Sequence, residues 1–109
     1  TGYNGEPLES EIEIIPSQLY IGYPYPNPFN HNVQIPIDVS DHQSINYYIF
    51  DVNGNNVIDK RNYFAGNSSN RKIAWDGKNK NGEFVSSGTY IIRIEGADFS
   101  ESRKFLFLK

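Results

Sequence analysis

Short runs in which every second residue is apolar recur along this chain, and this alternation is the feature that most restricts its fold. A period of two is that of a β-strand with one buried face. Turn residues separate the runs at intervals of roughly 8–12 residues, and no helical periodicity interrupts them. The sequence therefore predicts an all-β fold, an antiparallel β-sandwich of about seven strands. The clearest runs are residues 33–39, 45–52, 71–76, 89–95 and 101–109.

The composition agrees with one β domain and excludes several functions. The chain has 109 residues, of which 15% are aromatic, and it contains no cysteine. A length near 100 residues suits a single domain, and the missing thiols exclude disulfides and cysteine catalysis. The formal net charge of −3 is too small and too mixed to indicate nucleic acid binding. No apolar run approaches the ~20 residues of a membrane helix, so no membrane insertion is expected.

The polar start of the chain predicts a boundary near residue 24. Residues 1–11, TGYNGEPLESE, resemble a linker, and the prolines that follow allow at most an edge strand around Ile12–Ile15. We expect residues 1–24 to be a linker or junction to an upstream domain. Residues 25–109 are then the folded domain.

Catalytic and metal-binding patterns are weak. His31 and His42 lie among loop residues, and no serine is accompanied by a recognisable base. Asp51, Asn53 and Asn55 alternate like calcium ligands, but the glycine is misplaced for such a loop. Hairpin chemistry explains these residues better. The sequence predicts no enzyme, no metal and no cofactor.

Core and turn residues can be assigned from parity and turn chemistry. Trp75 shares the parity of Ile73, which favours a core position over a sugar-stacking platform. Asp76 is expected to cap the turn that follows it, and Asn-Gly pairs indicate hairpin turns. The residues predicted to be structural are Ile49, Asp51, Gly54, Trp75, Asp76, Gly77, Gly82, Gly88 and Tyr90.

The hexapeptide YPNPFN directly precedes the first clean alternating run. Its prolines cannot donate to a sheet ladder and stiffen an extended segment. It is either a fixed support for the first strand, with Phe29 as a plug, or a contact for another protein. Its members are Tyr25, Pro26, Asn27, Pro28, Phe29 and Asn30.

The C-terminal tail is apolar on both faces, because Phe105 and Phe107 alternate with Leu106 and Leu108. Such a strand is either the last strand of the core or an edge that a partner captures by pairing. Charged residues flank it as gatekeepers against aggregation, namely Arg103, Lys104 and Lys109.

Four motifs in this order resemble one known family. They are YPNPFN, IFDVNGNNV, WDGKNKNGEFVSSGTYIIRI and the closing SRKFLFLK. Together they resemble the type A C-terminal sorting domain of type IX secretion cargo. That family is similar in fold to the immunoglobulin-like domain of the flagellar hook-capping protein. The resemblance covers residues 25–109 and implies an immunoglobulin-like sandwich.

The resemblance also implies a function. Such a domain is a detachable export signal that an outer-membrane receptor recognises after its cargo reaches the periplasm. A sortase-like peptidase then removes it, and the cargo is secreted or held at the cell surface. The hexapeptide and residues 103–109 are the expected recognition elements. The alternative is a structural or carbohydrate-binding module of a secreted enzyme, if Tyr23, Tyr25, Tyr48 and Tyr63 form one flat row.

Overall fold

The computed structural model describes residues 19–39, 44–64 and 72–109, and within these ranges every regular element is a β-strand. The strands form two antiparallel sheets, of three strands in the order β1-β2-β5 and of four strands in the order β4-β3-β6-β7. This confirms the predicted all-β sandwich and its seven strands. The strands are β1 (Leu19–Ile21), β2 (Val33–Val39), β3 (Ser44–Asp51), β4 (Asn56–Phe64), β5 (Lys72–Trp75), β6 (Gly88–Glu95) and β7 (Ser100–Phe107).

The core lies between the two sheets and consists of the alternating apolar residues. Every second residue of a strand points to the same face, so both sheets present one apolar face inward. Removing such a side chain from water contributes roughly 1.5–3 kcal/mol. The most deeply buried strand residues, at 2% exposure or less, are Val33, Ile35, Ile37, Ile45, Ile49, Ile73, Ile92, Ile94, Phe105 and Phe107.

β2 contains Pro36, and a proline is expected at a sheet edge because it has no N–H to donate. The structure instead places β2 in the middle of its sheet. Gln34 exchanges two backbone hydrogen bonds with Tyr25, and the Pro36 carbonyl accepts the Gly22 N–H at 2.8 Å. The missing N–H of Pro36 therefore faces the short stretch between Gly22 and Tyr25. A ladder that is already interrupted there tolerates proline.

The outer strands of the four-stranded sheet are β4 and β7, and among the described residues each pairs with one neighbouring strand of that sheet. The pairing of β3 with β4 shifts register between Ile45 and Tyr47. Opposite this shift Asn62 has a left-handed φ of 57°, and its N–H donates to Asn46 Oδ1 at 3.1 Å. Such a bulge increases twist and makes an edge strand a poorer template for other strands. By contrast, β7 pairs with β6 in unbroken register from Gly88–Phe107 to Glu95–Ser100.

Some boundaries differ from the sequence predictions. The strand that returns from the Asn-Gly turn, β4, covers Asn56–Phe64, although the sequence shows no clean alternating run there. β1 lies at Leu19–Ile21, before the predicted domain start at residue 25, and Ile21 belongs to the core. The boundary at residue 24 stays a prediction. The possible edge strand at Ile12–Ile15 lies outside the described residues.

Candidate functional site

β7 serves the core on one face and the surface on the other. Phe105 and Phe107 are 2% and 0% exposed, whereas Leu106 is half-buried and Lys104 is exposed. β7 pairs only with β6, so its opposite backbone edge is not part of any sheet ladder. Beyond the strand, Leu108 is 47% exposed. The tail thus presents one row of side chains while its phenyl rings hold it in place.

The hexapeptide YPNPFN lies along this edge of β7, about 80 residues away in sequence. Asn27 Oδ1 accepts the Leu106 N–H at 2.9 Å. The Phe29 N–H donates to the Leu106 carbonyl, and the Leu108 N–H donates to the Phe29 carbonyl, both at 2.9 Å. Phe29 and Phe107 form a parallel bridge. We call residues 21–30 the strap, because they run beside the outer edge of β7.

The two aromatic residues of the hexapeptide point in different directions. Phe29 is 2% exposed and stacks on Phe107, with ring centroids 4.7 Å apart and planes inclined by 21°. Its ring also lies 5.7 Å from that of Trp75. Tyr25 is 52% exposed, and its hydroxyl donates to Gln34 Oε1 at 3.2 Å. The remaining members, Pro26, Asn27, Pro28 and Asn30, are exposed, and the peptide bonds preceding both prolines are cis.

Arg103 joins the strap to β7 further along the strand. Its Nη2 donates to the Ile21 carbonyl at 2.9 Å, and its Nε donates to the Gly22 carbonyl at 3.2 Å. Nη1 pairs with Glu101 at 3.2 Å, and the guanidinium lies 4.8 Å from the centre of the Tyr23 ring. The side chain is only 17% exposed. The planar fork of arginine suits several acceptors at once, so most of its hydrogen-bonding capacity is used within the domain.

Two loops close to the tail share one hydrogen-bond pattern. In residues 51–55, Asp51 Oδ1 accepts the N–H groups of Asn53 and Asn55, both at 2.9 Å. In residues 79–83, Asn79 Oδ1 accepts the N–H groups two and four residues later, at 2.9 and 3.1 Å. The fourth residue is a glycine with positive φ in both, Gly54 at 84° and Gly82 at 81°. This repeat of the form Asp/Asn-x-Asn-Gly-x is visible in the sequence but was not predicted as a repeat.

The hydrogen bonds of the first loop explain the state of its carboxylate. The N–H groups of Asn53 and Asn55 donate to the Asp51 carboxylate, and the Gly54 N–H donates to the Asp51 backbone carbonyl at 3.1 Å. The Asn55 side-chain amide also donates to Asp51 Oδ2 at 3.1 Å. Hydrogen bonds from Asn55, its backbone first, hold the pKa of Asp51 below its ordinary value. The carboxylate therefore organises the turn. Among the described residues, no three His, Cys, Asp or Glu side chains cluster as metal ligands would.

The Trp-Asp-Gly corner packs directly against the tail. Trp75 is 5% exposed, which confirms the core position, and its Nε1 donates to the Lys78 carbonyl at 2.8 Å. Asp76 Oδ1 accepts the Lys78 N–H at 3.1 Å and so caps the turn as expected. Gly77 has φ of 82°, and a Cβ there would lie 2.7 Å from Phe107 Cζ. Both its conformation and its close approach require glycine.

Two of the other predicted structural residues, Gly88 and Tyr90, lie beside β7. Gly88 pairs with Phe107 at the start of β6, and Tyr90 pairs with Phe105. The hydroxyl of Tyr90 donates to the Ser86 carbonyl at 2.6 Å, while the ring is 4% exposed. Burial raises the pKa of the Tyr90 phenol, and the Asp51 carboxylate raises it further. Ile49 is fully buried in the middle of β3.

Residues that the sequence analysis did not single out complete the surface around the chain end. Phe84 is 57% exposed, and the ammonium groups of Lys78 and Lys109 lie 5.1 and 5.6 Å from the centre of its ring. The Lys109 N–H donates to Ser87 Oγ at 2.9 Å. The sequence offers a signal for the Lys78–Phe84 pair, because the two residues flank the five-residue loop 79–83 symmetrically. In the structure they form an antiparallel bridge.

The row of tyrosines required for the carbohydrate alternative is not formed. Tyr63 donates from its hydroxyl to the Lys72 carbonyl at 2.6 Å and packs against the half-buried Tyr47. Tyr48 lies on the opposite face of the same sheet, where it packs near Phe50. Tyr23 lies under the guanidinium of Arg103. These side chains therefore do not share one flat surface on which a sugar chain could stack.

The open grooves between the strands are shallow and mixed in character. The groove between β4 and β5 has a volume of about 590 Å³ and is bordered by Tyr47, Ile58, Trp75, Asp59 and Asp76.

His31 is exposed, and His42 lies outside the described residues. None of the described segments forms an apolar helix of membrane-spanning length.

Comparison with known proteins identifies related folds. Residues 24–107 match the family model described as the secretion system C-terminal sorting domain. A structure of PorZ from Porphyromonas gingivalis, a bacterial surface component of the type-IX secretion system, superposes with a TM-score of 0.58 at 18% identity. Latent dimeric PorU from the same organism superposes with a TM-score of 0.63 at 19% identity.

These alignments cover most of this chain and a small part of each neighbour. They include 84% of this chain and 12% of PorZ, and 81% of this chain and 9% of PorU. At these identities the two structures indicate a common fold. No curated protein matches the chain.

Proposed function

Because the chain belongs to the family of secretion system C-terminal sorting domains, we propose that a receptor at the outer membrane recognises the folded domain at its C-terminal strand. The domain is a C-terminal sorting signal of the type IX system, and such a signal directs a protein to secretion or the cell surface. The proposal concerns which face is recognised and by what route. Its cargo is a domain upstream of the junction at residues 1–24, which passes through the periplasm on its way out.

The single observation that carries this proposal is the construction of the tail. Phe105 and Phe107 fix the strand in the core, and Leu106 is hydrogen-bonded to the strap through both its N–H and its carbonyl. The backbone that carries Lys104, Leu108 and Lys109 is consequently held in place, with these three side chains exposed. A receptor that binds a preformed surface avoids the entropy cost of ordering the tail. Recognition of a shape therefore suits a signal that must be read on many cargoes.

No chemistry by this chain is needed for such a role. Domains of this family are non-catalytic signals. We expect a sortase-like peptidase of the same system to cut within or near residues 1–24 after export. Because β1 and the strap connect that junction to β7, the cut would leave the sandwich intact if it falls before Leu19.

Export of a reporter tests the proposal. Fusion of the full 109-residue chain to the C-terminus of a folded periplasmic reporter should bring the reporter to the surface of a bacterium with a type IX system. Deletion of Lys104–Lys109 should leave it in the periplasm. That deletion also removes two core rings, so a surface variant is needed: Lys104→Ser, Leu108→Ser and Lys109→Ser change only exposed side chains. Its export should fall at least about tenfold while its melting temperature changes little.

A matched variant controls for charge and exposed apolar area. Lys60→Ser, Arg61→Ser and Tyr20→Ser also remove two cations and one exposed apolar side chain, all outside residues 104–109; Tyr20 borders a groove with Glu101 and Arg103, nearer the start of β7. This control should be exported like the unmodified fusion. Equal export of the tail variant and the control would contradict recognition through the C-terminal strand.

A further inference from the structure

The end of the sandwich beside the chain terminus carries an unusual surface. Phe84 is 57% exposed, and two ammonium groups approach its ring, those of Lys78 at 5.1 Å and Lys109 at 5.6 Å. We call Lys78, Phe84 and Lys109 the terminal platform. A single exposed apolar side chain is common on protein surfaces, but here two cations lie within cation–π distance of the same ring.

Backbone contacts hold the platform rigid. Lys78 and Phe84 form a bridge across the 79–83 loop, and the Val85 N–H donates to the Gly77 carbonyl at 2.9 Å. Gly77 packs against the ring of Phe107, so this hairpin is seated on β7. The Lys109 N–H is held by Ser87 Oγ at 2.9 Å. The platform is therefore preformed, although its members come from two distant parts of the chain.

A groove of about 420 Å³ begins at the platform. Phe84 forms one wall, Val52 of the 51–55 loop contributes to the other, and Val85 and Thr89 lie between them. Val52 is 65% exposed, which is unusual for a valine at the tip of a hairpin. Three of the six exposed large apolar side chains among the described residues, Val52, Phe84 and Leu108, belong to the loops and the tail at this end. Asp51, Asn53 and Ser86 also line the groove, so an apolar side chain of a partner would contact its apolar part, formed by Val52, Val57, Phe84 and Val85.

The charges of the platform have no carboxylate partner within the described residues. The three ion pairs found there are those of Arg61, Arg93 and Arg103, and neither Lys78 nor Lys109 takes part in one. Contact of an exposed ammonium with a phenyl ring contributes only about 0.5–1 kcal/mol. Both cations thus keep their capacity to bind anions, in a chain whose net charge is −3.

We propose that the terminal platform binds a segment of a protein partner in which an apolar side chain is flanked by carboxylates. The apolar side chain enters the groove between Val52 and Phe84, and the carboxylates meet the ammonium groups of Lys78 and Lys109. This inference rests on the proposed function, since the partner is the receptor that reads the sorting signal. It adds residues outside the tail to the recognised surface.

A titration of the isotope-labelled full chain tests the binding chemistry directly. The probe is the peptide acetyl-Glu-Leu-Glu-amide, and the comparison is acetyl-Gln-Leu-Gln-amide. The glutamate peptide should shift the amide resonances of Lys78, Phe84, Ser87 and Lys109 most. Its affinity should fall about twofold to fivefold in the Lys78→Glu variant, since exposed charge pairs are worth that much. Equal shifts by both peptides, or shifts centred elsewhere, would overturn the inference.

A binding experiment with lipid vesicles distinguishes a protein partner from a membrane surface. Vesicles of phosphatidylglycerol also present negative charge, but they lack an apolar side chain held between two carboxylates. Phe84→Ala should abolish the response to the glutamate peptide and should leave any weak vesicle binding unchanged. If the chain bound the vesicles and not the peptide, the platform would be a membrane contact and the proposal would be wrong.

Export assays with platform variants keep the two proposals distinguishable. Phe84→Ala and Lys78→Glu should each lower export of the reporter at least about threefold, whereas the controls Tyr20→Ala and Lys60→Glu should not. Tyr20 is 59% exposed, close to the exposure of Phe84. If platform variants were exported like their controls while the tail variant stayed in the periplasm, only the present inference would fail. Normal export of the tail variant would instead refute the proposed function.

Discussion

At the scale of single residues, Gly77 and Gly82 carry the same sequence signal but different structural demands. Both follow a polar residue in a turn, and their φ angles are 82° and 81°. A Cβ on Gly82 would meet nothing within 4 Å, whereas one on Gly77 would lie 2.7 Å from Phe107 Cζ. Turn chemistry in the sequence predicts the positive φ of both. The contact with Phe107 cannot be predicted that way, because it depends on the packing of residues 30 positions apart.

Gly77→Ala should therefore destabilise the domain more than Gly82→Ala. Both substitutions place a side chain in the left-handed region, which costs about 1–2 kcal/mol. Gly77→Ala in addition displaces the ring of Phe107, which should cost about 1–3 kcal/mol more. Urea denaturation of the two variants and the unmodified chain measures the difference. Equal free energies of unfolding for the two variants would mean that the ring moves aside without cost.

At the scale of structural elements, the apolar periodicity of the sequence predicted the strands, but it did not predict which distant segments contact each other. The apolar alternation of residues 33–39, 45–50 and 89–95 correctly indicated strands and their buried faces, because that pattern is local. The proline rule failed for β2, because an interrupted neighbour lets Pro36 stand in a middle strand. The contact of the strap with β7 spans about 80 residues, and no local pattern specifies which edge an extended segment will cover.

The loops at residues 51–55 and 79–83 have the same hydrogen-bond pattern, but the accepting side chain is a carboxylate in the first and an amide in the second. Asp51 Oδ1 and Asn79 Oδ1 accept equivalent N–H groups, but only Asp51 can be protonated. The pKa of Asp51 is lowered in the folded state, mainly by Asn55. Its contribution to stability is thus fully present above the unfolded-state pKa of about 3.9. It is lost as the pH falls from there through the lower folded-state pKa.

Asp51→Asn should consequently reduce the acid sensitivity of the domain. Between about pH 6 and pH 2.5, the free energy of unfolding should fall less for Asp51→Asn than for the unmodified chain, because the proton-linked part is removed. Asn79→Asp should increase that fall, since it introduces the same carboxylate into the second loop. Urea denaturation across this pH range measures both changes. An unchanged pH dependence for both variants would show that the loop hydrogen bonds do not favour the ionised form.

At the scale of the whole molecule, two side chains connect the sheets on opposite sides of the sandwich. On one side the hydroxyl of Tyr63 in β4 reaches the carbonyl of Lys72 in β5 at 2.6 Å. On the other side Arg103 in β7 reaches the carbonyls of Ile21 and Gly22 at 2.9 and 3.2 Å. The sequence analysis considered Arg103 a flanking charge of the tail. Its contacts also connect the tail to β1 and the strap.

Loss of this connection should weaken the fold and loosen the strap together. Arg103→Ala leaves two carbonyls without their charged donor, and hydrogen bonds to charged groups are worth about 1.5–3 kcal/mol. Arg103→Lys should recover only part of this, because an ammonium lacks the planar fork. Arg61→Ala is the control: that side chain is 64% exposed, pairs with Asp59 across 3.3 Å and lies 5.7 Å from the centre of the Tyr48 ring, so its loss should change stability by less than about 1 kcal/mol. Urea denaturation gives the free energies, and amide exchange at Leu106 and Leu108, whose N–H groups the strap protects, reports whether the strap has loosened. If Arg103→Ala matched Arg61→Ala in both measurements, the two sheets would be held by core packing alone, and the strap would not depend on this residue.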